Sequence, residues 1–252
     1  FSTYLYRGDG YSGRAISNGI KLSNANAGNS VSFSGSSGQL EVASTSDFAF
    51  GTGDYTVEFW MNYSFVSDYI SLFEGRPNNG NGNYFSIQLI GGNLHVYINS
   101  VTLIQITTPA VGLWHHIAVV REGTGTNQLK LYINGTQSGQ ATDATNYGNQ
   151  RCAIAAHAWS RGNFNGHISN YRVVKGQSIY TSNFTPSTQA LTTTSQGATA
   201  SNVKLLCCNK DTVTGKTVGP TITASGNPIA SGFGPFTATD GEGGLVWMKS
   251  RT

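Results

Sequence analysis

Hydrophobic positions along the chain recur with a period of two. In residues 54–62, Tyr55, Val57, Phe59 and Met61 fall on one side, and Thr56, Glu58, Trp60 and Asn62 on the other. That is the alternation of a strand with one apolar face. Runs of the same kind, rich in β-branched and aromatic residues, occupy 31–34, 39–43, 69–74, 84–90, 93–98, 101–107, 114–121, 128–134, 152–157, 164–174 and 203–207. Turn formers separate them at short spacing, among them Gly91-Gly92-Asn93, Gly123-Thr124-Gly125 and Asn134-Gly135. An Asn-Gly pair between alternating runs predicts a tight hairpin, because both central residues need positive φ. The only helical signal is a single turn around Ser46–Phe50, which Ser or Asp could cap. Short strands at hairpin spacing predict an all-β chain folded as an antiparallel two-sheet β-sandwich.

The same alternation assigns the core. Val57, Phe59, Ile117, Val119, Leu131 and Ile133 are expected between the sheets. Residues 114–121 are apolar on both faces, which predicts a central strand covered on both sides. Trp60 points away from the core and needs a second apolar cover. His115 and His116 are strand neighbours on opposite faces and cannot chelate one ion together. Residues 186–202 read as a surface strap, and Ile222 and Ile229 centre two weak strands. Cys207 and Cys208 are likewise expected on opposite faces, one of them in the core, as reduced thiols. A bridge to Cys152 stays open.

Composition narrows the classes. Charged residues are 11% of the chain and 32 of 252 residues are glycine, so the polar surface consists mainly of Ser, Thr, Asn, Gln and Gly. Twelve Tyr, 12 Phe and 4 Trp argue against disorder. A net charge of +3 with scattered Lys and Arg argues against nucleic acid as a partner. No apolar run reaches the ~18 residues of a spanning helix, so membrane insertion is not expected. Three cysteines make neither a disulfide scaffold nor a zinc site at their spacing.

Candidate chemistry follows from loops and acids. Retaining glycosidases need two carboxyls about 5–5.5 Å apart. Glu41, Glu58 and Glu74 each stand alone in their strands, and no nucleophile elbow is present, so no catalytic residue is expected. Calcium requires about six to eight oxygens, and Asp143, within residues 141–146, is the best single ligand the loops offer. The plainer reading of Asp143 is a turn that bonds its own backbone. Sugars are recognised by an exposed aromatic plane together with amides or charged groups. Two loops carry that set: Arg76, Asn78, Asn81, Asn83 and Tyr84 in one, and Trp159, Arg161 and Asn163 in the other. The alternative is that Asn and Gly merely form turns there.

A family resemblance runs through the blocks Phe33-Ser-Gly35, Leu40-Glu-Val42, Phe48–Trp60, Trp114–Arg121, Leu129–Gly135, Phe164–Tyr180, Asn183–Pro186 and Leu205–Cys207. In this order they resemble laminin-G-like, concanavalin A-like lectin/glucanase modules. The variant with Arg172-Val-Val-Lys-Gly and Thr181-Ser-Asn-Phe-Thr-Pro resembles the form found in phage and environmental virion surface proteins. The resemblance implies a jelly-roll sandwich over 31–207; residues 1–30, rich in Gly, Ser and Asn, read as a lead-in arm or the end of a preceding module. Residues 208–236, largely turn-like, read as an extended tail packed on the sandwich, and the resemblance implies the truncated start of a following module at 237–252. It further implies a non-enzymatic virion surface protein, of a tail fibre, spike or capsid decoration, that attaches to glycan or host surface. The expected partners are other copies of the chain, neighbouring virion subunits and cell-surface glycan. The alternative is a secreted adhesin or surface-layer protein located outside the cell, and a polysaccharide hydrolase is the third reading. The apolar segments Phe1–Tyr6 and Leu245–Lys249 are expected to pair with adjoining modules or copies.

Overall fold

The structure, a computed structural model, describes residues 29–35, 38–65, 69–76, 83–156 and 164–236. In chain order the strands are β1 (Ser30–Ser34), β2 (Gln39–Thr45), β3 (Tyr55–Phe65), β4 (Ile70–Glu74), β5 (Phe85–Ile90), β6 (Asn93–Ile98), β7 (Val101–Thr107) and β8 (His115–Arg121). They continue with β9 (Leu129–Ile133), β10 (Thr136–Ala141), β11 (Gln150–Ile154), β12 (Asn165–Lys175), β13 (Val203–Cys207), β14 (Lys216–Val218), β15 (Ile222–Ser225) and β16 (Ile229–Ser231). One sheet runs β10-β9-β8-β3-β12-β1-β16, with β13 on the other half of long β12 and β14 on β13. The second runs β15-β2-β11-β4-β5-β6-β7. The two sheets enclose the main core.

Alternation decides what faces that core. Val57, Phe59, Ile117, Val119 and Leu131 are fully buried there, and half-buried Ile133 packs against them. Asn134 (φ 49) and Gly135 (φ 79) turn β9 into β10, as the Asn-Gly pair predicts. Gly135 is also needed for space: a Cβ there would meet the Phe184 carbonyl at 1.9 Å. The single turn at Ser46–Phe48 forms, but its cap is Thr45, whose Oγ1 accepts from the Asp47 N–H. β10 and β14 escape the pattern because they are mostly polar edge strands that each bring little to a core, Ala141 from one and Val218 from the other.

The outer face of the first sheet is sealed, in two pieces. Residues 177–199 cross it as a strap, with Tyr180 and Phe184 stacked at 3.5 Å and lying against His116 and Tyr132. Leu191 adds a small apolar cluster with Val174, Val203 and Leu206. Beyond the strap, Phe233 packs on Trp114 and His167, and Phe236 on Trp60. The tail thus supplies the second cover that Trp60 requires.

Beneath the strap lies a buried charge. Glu58 is fully buried. Arg172 Nε donates to its Oε1 at 2.7 Å, with Nη2 at 2.5 Å. Tyr180 Oη and His116 Nε2 donate to Oε2 at 2.8 and 3.0 Å. A β-bulge makes the pairing possible: β12 pairs Ser169 with Trp60 and Arg172 with Glu58, so that Asn170 and Tyr171 stand against the single residue Phe59. Asn170 within it has φ 50. The extra residue keeps Ser169 and Arg172 both outward while Tyr171 turns into the core.

Burial alone would raise the Glu58 carboxyl, but the Arg172 charge and the His116 and Tyr180 hydrogen bonds outweigh it and bring it down to about 2. A lowered folded value means stability that is present above the ordinary value near 4.5 and lost as pH falls toward 2, worth about 3 kcal/mol. Glu58→Gln should destabilise by about 3–5 kcal/mol, since it strands Arg172. It should also flatten stability against pH in that window. A joint Glu58→Met/Arg172→Met variant should recover most of the loss. Urea unfolding of the three proteins between pH 2 and 7 checks this.

Candidate functional site

With one outer face sealed, the second sheet's outer face and its loop ends remain for recognition. Period two places polar residues in rows there. Ser71, Gln88, His95 and Gln105 are cross-strand neighbours in one row, and Glu74, Ser86, Tyr97 and Thr102 in the next. The middle of this surface is tightly packed: Ser71, Glu74, Ser86 and Gln88 are buried, whereas Thr102 and Gln105 are exposed. Ser71 Oγ and the Arg76 N–H donate to Glu74 at 3.1 Å each, and Gln88 Nε2 donates at 3.5 Å. Burial raises the Glu74 carboxyl, and the Arg76 charge counters that only in part. Its sign is therefore opposite to Glu58: the contribution is present below the ordinary value and lost as pH rises.

At the far end of β4 the loops build a rim of amides. Arg76 is buried, lies 4.4 Å over the Tyr84 ring and donates through Nη2 to Tyr84 Oη at 2.9 Å. Tyr84 N–H donates to Asn99 Oδ1 at 2.9 Å, Asn99 Nδ2 to Asn83 Oδ1 at 3.2 Å, and Asn83 Nδ2 to the Asn146 carbonyl at 3.0 Å. Asn83, Asn99, Ser100 and Asn146 are exposed. Asn99 and Ser100 make the β6–β7 hairpin with φ 47 and 70.

The sequence-predicted residues fare differently. Arg76, Asn83 and Tyr84 come together, but Tyr84 is 2% exposed. The expectation that it offers an open aromatic plane is corrected: Arg76 covers its ring, and only its amide neighbours reach solvent. Asn78, Asn81, Trp159, Arg161 and Asn163 lie outside the described residues. The two predicted loops are anchored at opposite ends of β4, since Ala156 exchanges backbone hydrogen bonds with Ser71 and the Gly75 N–H bonds to the Phe85 carbonyl. Sequence reasoning missed Asn99, Ser100 and Asn146. The Asn-Ser pair between two alternating runs was the available signal for the first two.

Asp143 does not fit calcium. Its Oδ2 accepts from Arg121 Nη1 at 3.0 Å and Tyr147 Oη at 2.9 Å, and its Oδ1 from the Thr145 N–H at 2.9 Å. Both oxygens face donors. Arg121 also donates to the carbonyls of Gly51, Gly53 and Thr145 at 2.7–3.0 Å. The guanidinium gathers a carboxylate and three carbonyls from separate loops, which is the oxygen set that a metal ion would want. Among the described residues, no group of three or more His, Cys, Asp or Glu is placed to hold a metal. The two adjacent histidines separate as predicted: His115 Nε2 meets the Ala110 carbonyl, while His116 serves Glu58.

Asp143→Asn should therefore shift the thermal midpoint by the same amount in EDTA as in millimolar calcium. Arg121→Ala should destabilise by about 3–5 kcal/mol by stranding Asp143. Differential scanning fluorimetry with and without chelator reads both outcomes.

Comparison with known proteins agrees with this architecture. Residues 33–177 match the concanavalin A-like lectin/glucanases superfamily. No curated protein matches the chain. Among solved structures, a heptameric SAP-like pentraxin from Limulus polyphemus is similar, with a TM-score of 0.54 at 16% identity over 84% of this chain and 98% of its own. A Bacteroides ovatus protein proposed to bind carbohydrate has a TM-score of 0.53 at 14% identity, over 80% of this chain and 61% of its own. Such identities show the shared fold alone. The sequence match spans more than half of the chain, and the chain belongs to the concanavalin A-like lectin/glucanases superfamily.

Proposed function

We propose that the chain is a non-enzymatic, glycan-binding module of a virion surface protein, with the amide rim at the end of the second sheet as its recognition site. The carrying observation is the chain of hydrogen bonds from Tyr84 through Asn99 and Asn83 to Asn146. It fixes the exposed side-chain amides of Asn83 and Asn99 beside exposed Asn146 and Ser100, and amides and hydroxyls are the groups that exchange hydrogen bonds with sugar hydroxyls. Asn78 and Asn81, in the segment that joins Arg76 to Asn83, belong to the same reading, and Trp159, Arg161 and Asn163 to a second contact region. Binding rather than hydrolysis is supported by the acids. Glu58 has both oxygens committed to Arg172, His116 and Tyr180, and Glu74 is buried among donors. Neither is free to act as acid or nucleophile.

The virion assignment rests on the resemblance of Arg172–Gly176 and Thr181–Pro186 to virion modules, and a secreted adhesin is the alternative. The pentraxin of similar fold is heptameric, which supports use of this sandwich in repeated copies.

A glycan array probed with the chain displayed multivalently should show binding to a defined set of oligosaccharides. Asn83→Ala/Asn146→Ala should weaken that binding roughly 30-fold, at about 1 kcal/mol per lost hydrogen bond, while the melting temperature falls by only several degrees, for the rim bonds of Asn83, and the chain stays folded. Undiminished binding by the double variant would place the site elsewhere, and release of reducing sugar would overturn the non-enzymatic reading.

A further inference from the structure

The three cysteines form a group that the glycan reading does not use. Cys152 in β11, Cys207 at the end of β13 and Cys208 just beyond it are all free and buried. Adjacent residues on a strand point to opposite faces, which is why one core thiol was expected. The structure corrects this. Cys208 has φ 58, so the chain turns as it leaves β13 and both thiols enter the main core. Their sulfurs lie 3.6 Å apart. A disulfide bond is about 2.05 Å, so joining them needs the sulfurs to approach by about 1.5 Å in a tight ring, across Cα atoms about 3.8 Å apart, closer than in an ordinary disulfide. Cys152 is held by a different partner: its thiol donates to Tyr171 Oη at 3.9 Å, and that hydroxyl donates to the Leu72 carbonyl.

Left-handed φ at a non-glycine residue persists only where the surroundings enforce it. Directly across, Asn170 is also left-handed, and its N–H donates to the Cys208 carbonyl at 3.3 Å. Asn170 Oδ1 accepts from the strap at Leu191 N–H and from Asn209 Nδ2. The cysteine pair thus backs the bulge that aims Arg172 at Glu58.

We propose that Cys207 and Cys208 are an oxidative modification site, closed into a disulfide between adjacent residues while the chain folds in an oxidising medium, with Cys152 left as a free thiol. The oxidant class is a small disulfide such as glutathione disulfide. The Cys208 thiolate attacks one of its sulfurs and expels a glutathione thiolate. The Cys207 thiolate then attacks Cys208 Sγ in the mixed disulfide and expels the second. Two electrons pass from the cysteine pair to the oxidant, and the two thiol protons end on the two glutathiones. The timing follows from burial. In the folded chain the hydrogen bond with Cys208, together with burial, holds the Cys207 thiol well above its ordinary range, so its reactive thiolate is scarce. Oxidation therefore precedes closure of the core, which then shields the bond from reductants. The ring spans two residues and removes little chain entropy. Its effect is local, in fixing the left-handed turn to which Asn170 is bonded.

The full chain refolded with reduced and oxidised glutathione is compared with the chain refolded in dithiothreitol. After denaturation and alkylation, the glutathione preparation should keep a single reactive thiol. Digested without reductant, its tryptic peptide 205–210 should carry no alkyl group and be about 2 Da lighter than the unalkylated dithiol, for the two hydrogens lost, whereas the same peptide from the dithiothreitol preparation should carry two alkyl groups. Cys152→Ser should give the same light peptide with no reactive thiol, and Cys207→Ser should leave two thiols free. Three reactive thiols after oxidative refolding, or peptide 205–210 cross-linked to the peptide that holds Cys152, would overturn the proposal.

Discussion

A single buried carboxylate organises one half of this molecule. Glu58 sits outward on β3, the strand with the most continuous apolar face, where water cannot reach it. A charge there is tolerable only if its oxygens are fully engaged. Meeting that condition recruits four segments: β3 carries the charge, β12 brings Arg172, β8 brings His116, and the strap brings Tyr180. Arg172 in turn ties down the strap at the Thr192 and Ser195 carbonyls. The bulge at Asn170, the close approach at Gly135 and the stacked Tyr180–Phe184 pair all serve one geometry, in which an irregular segment seals a sheet face.

Arg121 does the same work at the other end. Its guanidinium collects carbonyls from the β2–β3 and β10–β11 connections around Asp143, under the rings of Tyr55 and Tyr147. Six charged side chains, Glu58, Glu74, Arg76, Arg121, Asp143 and Arg172, are thus buried in a chain whose charged content is only 11%. Charge here holds loops and strap to the sandwich. At the rim of the second sheet the exposed groups are amides and a hydroxyl, which act through short-range directional hydrogen bonds rather than long-range steering.

Those same pairs mark where the sequence stopped being legible. Alternation located the main strands and the inward set around Phe59, because the period of a strand is a local property. Glu58 looked solitary because Arg172 lies 114 residues away, and nothing local announces the bulge that turns it outward. Asp143 suggested calcium because Arg121, 22 residues earlier, reads as the end of an apolar strand. Tyr84 suggested an open ring because alternation says which way a residue points and not what covers it. The Cys207-Cys208 pair broke the strand rule through one backbone angle that no composition encodes. β10 was missed for a different reason: an edge strand held by its hairpin needs no hydrophobic signature.

The two faces of the sandwich consequently have different fates. The first sheet's outer face is closed by segments of the same chain, whose aromatic side chains already fill the places against Trp60, Trp114 and His116 that a ligand would seek. At the rim of the second sheet, the exposed amides are instead bonded to one another, from Tyr84 N–H to the Asn146 carbonyl. A ligand meeting that rim would find the Asn83 and Asn99 rotamers already fixed, so little of their side-chain entropy remains to be lost on binding. Each contact still only exchanges one hydrogen bond with water for another, at about 1 kcal/mol net. Preorganisation of this kind favours selectivity for hydroxyl geometry over affinity at one site. Strong attachment would then come from many copies, where linkage can raise avidity by roughly 10²–10⁴ without any new contact.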